Sequence, residues 1–290
     1  MNIIDYIGLT SLGIDHRVLK LVQDAQVVKY SEVASAPRIS QKIVVGRDLS
    51  LSQIFDVIER FKVSYVVQEN HGNFLYNLLM AAMIHKFPEA FSKDPLPFVM
   101  KSDPSLCRTQ KVPFYSSQDK KNVMQTVAMF LEQNPIIESL EQNVLMIANE
   151  LLLNALYAAP IDRNGNHVYA RSPRNSEVYY PSFKKGEMLI SLNKDTFLIG
   201  CRDPFGSVSK IRVSKRLQNI FTSQEKAQVE FENQEWGGSG LGLKTIIENS
   251  SGFGMIVKSG EESFVYATLP IGFGNKKIHD MPKNIYLNFS

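Results

Sequence analysis

Three groups of residues carry the chemical potential of this chain. The first is Asn149-Glu150-Leu-Leu-Leu-Asn154-Ala155, set inside an apolar stretch with helical spacing. Glu150 and Asn154 are four residues apart, so they share one helix face, one turn above the other. A carboxylate and a carboxamide oxygen at that spacing can meet one phosphate-bound Mg2+, an ion that prefers hard oxygen ligands and keeps most of its water. The carboxylate can also orient or deprotonate an attacking nucleophile. Taken alone, such a pair is more often two polar groups on a helix surface.

The second group is Asp203-Pro-Phe-Gly206, directly after the apolar run Phe197–Arg202. An acid at a strand end, followed by a turn, can accept a hydrogen bond from an exocyclic amine such as that of adenine. Asp, Pro and Gly are also ordinary turn residues. The protein-kinase D-F-G does not fit, because a proline intervenes and no H-R-D or V-A-I-K partner exists. The third group, Gly237-Gly238-Ser239-Gly240-Leu241-Gly242-Leu243, opens a helical pattern that runs to Asn249. Four glycines in six residues let the backbone approach a ligand and turn its N–H groups inward. The helix amino end adds partial positive charge, so a polyphosphate is the natural guest. A flexible linker would not run into Leu241, Leu243, Ile246 and Ile247. A Walker A loop is excluded because Leu243 separates Gly242 from Lys244, and the glycines run G-x-G-x-G rather than G-x-G-x-x-G.

The elements that must hold these residues can be read from periodicity. Strands are predicted at Asp5–Leu9, Ala25–Tyr30, Lys42–Val45, Ser64–Val67 and Pro97–Met100, with helices at His16–Leu21, Leu51–Phe61 and Phe74–Lys86. This alternation implies a small α/β domain over residues 1–101. Residues 102–117, with two prolines, read as a linker. A capping pattern, Ser116 to Asp119, introduces a helix at Asp119–Glu132, and a second spans about Ser139–Ala159 until Pro160 stops it. The polar stretch 161–186, with its Asn164-Gly165 turn pair, is expected to form a hairpin or an irregular insertion. Strands follow at Met188–Leu192, Phe197–Arg202, around Met255–Lys258 and at Phe264–Leu269, with a helix at Leu241–Asn249. Residues 118–272 thus read as an α+β sandwich, and 273–290 as a tail.

The order and spacing of the three motifs together resemble the GHKL ATPases, the fold shared by sensor histidine kinases and anti-sigma-factor kinases. N149-E-L-L-L-N-A155 looks like their N box, D203-P-F-G206 like their G1 box and G238-S-G-L-G-L243 like their G2 box. Ser263-Phe-Val-Tyr-Ala-Thr-Leu-Pro270 resembles their last strand. The likeness covers roughly residues 116 to 270. It implies a two-layer Bergerat-type ATP-binding fold with ATP and Mg2+ as ligands. By the resemblance, Glu150 is the general base or magnesium organiser, Asn154 a Mg2+ ligand, and Asp203 binds the adenine amine. Gly238, Ser239, Gly240, Leu241 and Gly242 belong to the phosphate cradle, Gly206 to the turn by the base, and Ser263 holds the base through a hydroxyl or water. Residues 207–236 would be the mobile ATP lid, with Lys210, Arg212, Lys215 and Arg216 as candidates to approach phosphates. The G1 box departs from the usual D-x-G-x-G: Phe205 and Ser207 occupy the glycine positions and the glycine is displaced to 206, so the turn must differ.

Within that class, no histidine lies between His85 and His167, and His85 has the wrong context for a phosphoacceptor. The layout is closest to the anti-sigma-factor kinases. That implies phosphorylation of Ser or Thr on a regulatory protein partner (a sigma factor, an anti-anti-sigma-like protein or a response regulator) or ATP-gated binding of it. A non-catalytic ATP-binding module and a histidine kinase core acting in trans are the alternatives, and a homodimer stays open. The amino-terminal domain has receiver-like features, with Lys101 at the end of a strand, but Gln68 stands where a phosphoacceptor aspartate would. Bulk properties are those of an ordinary soluble globular protein: 290 residues, 44% hydrophobic, 21% charged, net charge +3. That charge is too small to argue for nucleic acid or membrane lipid. The two cysteines, Cys107 and Cys201, and five scattered histidines match no metal spacing, and a reduced, cytoplasmic setting is expected.

Overall fold

Val-, Ile- and Leu-rich runs bounded by turn residues, interleaved with helical apolar stripes, produce one continuous mixed sheet flanked by helices on both faces. The computed structural model describes residues 20, 22, 24–35, 42–70, 73–95, 107–222, 241–271 and 278–290. The architecture is α+β, with nine strands and, among the described residues, seven α-helices. The strands are β1 Val27–Lys29, β2 Ile43–Gly46, β3 Tyr65–Gln68, β4 Arg108–Phe114, β5 Gly186–Leu192, β6 Thr196–Asp203, β7 Gly252–Lys258, β8 Glu262–Pro270 and β9 Asn284–Phe289. The helices are α1 Leu51–Phe61, α2 Phe74–Lys86, α3 Pro88–Lys93, α4 Lys120–Glu132, α5 Glu141–Leu153, α6 Lys210–Thr222 and α7 Leu241–Glu248.

Across the sheet the order is β1-β2-β3-β9-β7-β8-β6-β5-β4. The amino-terminal strands β1, β2 and β3 are parallel, as the strand–helix alternation requires, and β2 and β3 are buried throughout. Such unbroken apolar runs belong to strands covered on both faces. From β7 to β4 each neighbouring pair is antiparallel. Alternate residues feed two cores. One holds Val44, Val66, Phe197, Ile199, Cys201 and Ala267 with the apolar faces of α1, α4, α5, α6 and α7. The other holds Ile43, Val45, Tyr65, Leu198, Phe264 and Tyr266 with α2 and Phe91 of α3. At roughly 2 kcal/mol for each fully buried large apolar side chain, these clusters dominate the favourable side of folding.

Local chemistry sets the helix ends. Ser50 and Gln53 form a reciprocal capping box at the start of α1, and Lys62 closes that helix in a left-handed conformation at φ 54°. The expected Ser116–Asp119 box is present, on a 3-10 turn leading into α4. The long predicted helix Ser139–Ala159 is built in three parts: a 3-10 entry at Pro135–Leu140, α5 itself, and a π-turn at Asn154–Ala158 that ends before Pro160. A helix cannot continue comfortably into the residue before a proline.

Several expectations need correction. Arg108–Phe114, inside the stretch read as a linker, is strand β4, the outer strand of the sheet. Pro113 and the charged Arg108 and Lys111 masked its pattern, and those residues suit an edge. The stretch read as a tail contains β9, which lies between β3 and β7 in the middle of the sheet. Its flanking asparagines hid it, and they have structural work: Asn284 Oδ1 accepts the Gln68 amide at 2.8 Å. α3 and α6 were not anticipated. The expected strands at 5–9 and 97–100, Lys101, and all of the 16–21 helix except Lys20 lie outside the described residues. Among the described residues no helix is long and apolar enough to cross a membrane.

Lys283, just before β9, is buried, and its ammonium donates to the carbonyls of Glu248 at 3.0 Å, Ser250 at 2.6 Å and Ile278 at 2.9 Å. Burial pushes its pKa down to about 8, opposed by Glu248 and Asp280. The charge thereby caps the carbonyl end of α7 and ties it to the chain's last segment. Lys283→Met leaves three buried carbonyls without that donor and is expected to lower stability by about 3 kcal/mol, read from the midpoint of urea unfolding.

Candidate functional site

α5 and α7 run antiparallel in contact. At one end Asn143 Nδ2 donates to Asn249 Oδ1 at 2.8 Å. At the other, the backbone of Gly242 reaches the Glu150–Asn154 face. A Cβ at position 242 would lie 2.5 Å from Glu150 Oε2 and 3.7 Å from Asn154 Nδ2. Glu150 and Asn154 are half-buried, and their side chains make no hydrogen bond or ion pair with a described residue. The helix pairing thus gathers a carboxylate, a carboxamide and the first turn of α7, whose amide-rich end carries partial positive charge. The π-turn begins at Asn154, with the Ala159 amide donating to the Asn154 carbonyl at 3.0 Å. Such turns frequently accompany functional sites.

The second part of the site is at the strand ends. Asp203 closes β6 and pairs in register with Ser263 near the start of β8. By alternation both lie on the sheet face that bears α5, in line with Cys201 and Ile199. Asp203 is 4% exposed, and its Oδ1 accepts the Phe205 amide at 3.0 Å. Burial raises the Asp203 pKa to about 7, with the Phe205 amide, the Ser263 hydroxyl, the Gly206 amide and Lys184 pulling the other way. The Ser263 hydroxyl is near enough to oppose the shift yet is buried outside hydrogen-bonding geometry with any described group.

The turn after Asp203 explains the displaced glycine. Gly206 has φ 55°, and a Cβ there would sit 2.1 Å from the Lys258 carbonyl oxygen. Its own carbonyl accepts the Gly260 amide at 3.1 Å, so the turn is clasped by the β7–β8 hairpin. Phe205 is buried, with the Tyr180 ring perpendicular to it at 5.1 Å and Lys184 Nζ 4.5 Å from its centroid. Tyr180 comes from the 161–186 stretch. That stretch contributes an isolated bridge between Ile161 and His167 around the Asn164-Gly165 turn, another at Tyr179, and is otherwise irregular. The Tyr180 hydroxyl donates to the Ala155 carbonyl at 2.7 Å, and Ser207 Oγ donates to the Ala159 carbonyl at 2.8 Å. These two bonds tie the Asp203 turn to the helix end that carries Asn154.

Of the residues singled out in the sequence, Glu150, Asn154 and Gly242 meet, and Asp203, Ser263 and Gly206 form a second group tied to the first through Tyr180. Leu241 is 63% exposed. Gly238, Ser239 and Gly240 lie outside the described residues. The expected lid over 207–236 contains α6, and residues 223–236 of it also lie outside the described part. Among the basic candidates, Lys210 Nζ donates to Ser64 Oγ at 3.0 Å and Arg216 is half-buried, whereas Arg212 and Lys215 are exposed. Sequence reasoning missed Tyr180, Lys184 and Ser207; only the Tyr179-Tyr180-Pro181 run hinted that the polar stretch had an anchored aromatic.

The donor set at Gly242 fits a magnesium-bound polyphosphate: two oxygen-bearing side chains without a partner among the described residues, and a cradle that a Cβ would fill. Among the described residues no group of three or more His, Cys, Asp or Glu side chains could hold a metal ion. No protein-family model matches the chain, and no match to a curated protein was found.

The buried carboxyl has a consequence for stability. The Asp203 pKa is raised above its unfolded value of 3.8. Below about pH 4 the acid is neutral in both states. As pH rises from there through about 7, the unfolded chain releases the proton first and stability falls. Asp203→Asn abolishes this titration. Its stability relative to the parent is expected to improve by on the order of 2 kcal/mol between pH 5 and pH 8 in urea unfolding.

Proposed function

We propose that this chain binds Mg2+-ATP in a GHKL-type pocket of Bergerat form between α5, the start of α7 and the ends of β6 and β8. It acts as a signalling regulator that phosphorylates Ser or Thr of a partner protein, or binds that partner in an ATP-gated way. The observation that carries this reading is the approach of Gly242 to Glu150 and Asn154. Two motifs 88 residues apart in sequence, each weak by itself, come into contact. In this reading Glu150 and Asn154 hold the metal-bound phosphates, the α7 amino end stabilises their charge, and Asp203 with Ser263 receives the base amine. ATP supplies the transferable phosphoryl group when bound. Glu150 is the residue placed to accept the proton of an incoming hydroxyl. The partner classes remain a sigma factor, an anti-anti-sigma-like protein or a response regulator, and the amino-terminal parallel unit serves as an interaction or sensing region.

A second reading, nucleotide binding without transfer, draws support from the covered base end. Phe205 stands where the family has glycine, and Tyr180 closes over it, so a base reaches Asp203 only after those rings shift.

Calorimetry with Mg2+-ATP and Mg2+-ADP tests the shared part of both readings; absence of heat at millimolar nucleotide would sink them together. Glu150→Gln is expected to bind Mg2+-nucleotide about tenfold more weakly than the parent and, even at saturating nucleotide, to lose transfer of radiolabelled phosphate to the partner. Undiminished transfer by that variant removes the role given to Glu150. Gly242→Ala separates site from scaffold. Its methyl meets the mobile end of Glu150 rather than backbone, so the protein should fold and gain up to about 1 kcal/mol of helix stability. The displaced carboxylate should weaken Mg2+-nucleotide binding about tenfold; unchanged affinity would count against the pocket.

A further inference from the structure

The stretch expected to be a free lid begins with a helix that is held elsewhere. α6 packs chiefly against α1, the crossover helix of the amino-terminal parallel unit. Val213, Leu217 and Phe221 recur at four-residue spacing along α6, which puts them on one face. Val213 and Leu217 are buried in the same core as Ile54, Phe55, Val57 and Ile58 of α1. Phe221 stacks on Phe55 with ring centroids 5.1 Å apart and planes 15° from parallel. At the other end of α6, Lys210 is bonded to Ser64, the residue before β3. α6 starts four residues after Gly206, which follows the Asp203 turn, and it also touches α7, whose first turn faces Glu150. It therefore adjoins both parts of the candidate site while its apolar face belongs to the amino-terminal unit.

From this we infer that α1 and α6 form a link through which the amino-terminal α/β unit sets the affinity of the Glu150–Asn154–Gly242 site for magnesium nucleotide. The inference rests on the nucleotide-site reading above. A shift of α1 moves the stacked Phe55–Phe221 pair, and a shift of the β3 entry moves the Ser64 partner of Lys210, so each end of α6 follows the amino-terminal unit. Packed interfaces of this kind relocate as units instead of deforming gradually. The same coupling must run in reverse, because binding free energies at linked sites are reciprocal.

The experiment uses the full chain and Mg2+-ADP as probe. Calorimetry is run on the parent, on Phe221→Ala and on Ser64→Ala, the latter removing the Lys210 partner with little loss of core. Hydrogen exchange of residues 51–61 is followed in the parent with and without nucleotide. The expected result is parent binding, affinity about tenfold weaker in Phe221→Ala and less weakened in Ser64→Ala, and slower exchange in α1 when nucleotide is bound. Parent binding with both variants within twofold of it, and α1 exchange unchanged, overturns the link and leaves the site standing. No binding by the parent overturns both.

Discussion

Room for a hydrogen atom, but not for a side chain, separates the first turn of α7 from the Glu150 carboxylate as it stands. That steric constraint decides which face of α7 meets α5. With Gly242 against the Glu150–Asn154 face and Asn249 against Asn143, the two helices have one antiparallel register. Ile246 and Ile247 then fall into the core, and the carbonyl end of α7 is delivered to the Lys283 ammonium. The carboxylate comes to rest near the electropositive end of a helix, an arrangement that is favourable without ligand and also suits phosphate oxygens.

The contact is only as secure as the sheet beneath it. α5 lies over β6, and α7 is followed directly by β7, so the relative position of the helices is inherited from the β7-β8-β6 ladder. That ladder does not end where the antiparallel half ends. β9 pairs in parallel with β7 and antiparallel with β3, which fuses the amino-terminal parallel strands to the site-bearing strands through the carboxy-terminal segment. The Gln68 amide bound to Asn284, and the Tyr286 hydroxyl bound to Asn77 at 3.2 Å, reinforce that seam on both strand and helix. Residues 27–68 and 284–289 therefore belong to the same framework that positions Glu150.

Much of this was legible in the sequence, and the failures have physical causes. α1 and α2 match their predicted limits: in α1 the apolar residues recur at helical spacing and Ser50 and Gln53 cap the start, while α2 is an apolar run buried from Tyr76 to Ile84. β5, β6 and β8 were visible as apolar runs, and the Glu150–Asn154 spacing correctly gave a shared helix face. β9 was not, since Asn284 and Asn288 break its apolar pattern and the reason for them lies in partners more than two hundred residues away. β4 was obscured by the edge residues that protect it. α6 was hidden by its many charged positions, because its apolar face has meaning only opposite α1. The family resemblance implied one shared site for the Glu150–Asn154 face and the glycine turn, but no local pattern showed that Tyr180 would bridge the two parts of the site.

The two ends of the candidate site differ in kind. At the Glu150–Asn154 end both side chains are half-buried and without a partner among the described residues, so a guest that coordinates or bonds to them displaces no existing bond. At the other end Asp203 is buried beside Phe205 and Tyr180, and burial raises its carboxyl pKa to about 7. An amine that donates to this group favours the ionised form, so it must supply hydrogen bonds to offset the desolvation of a carboxylate as well as move two packed rings. Because Tyr180 is anchored on the Ala155 carbonyl, the residue after Asn154, movement of that ring acts on the helix turn that carries the Asn154 carboxamide. Opening one end of the site is mechanically tied to the geometry of the other, and the Phe205 ring packed against Tyr180 makes the tie.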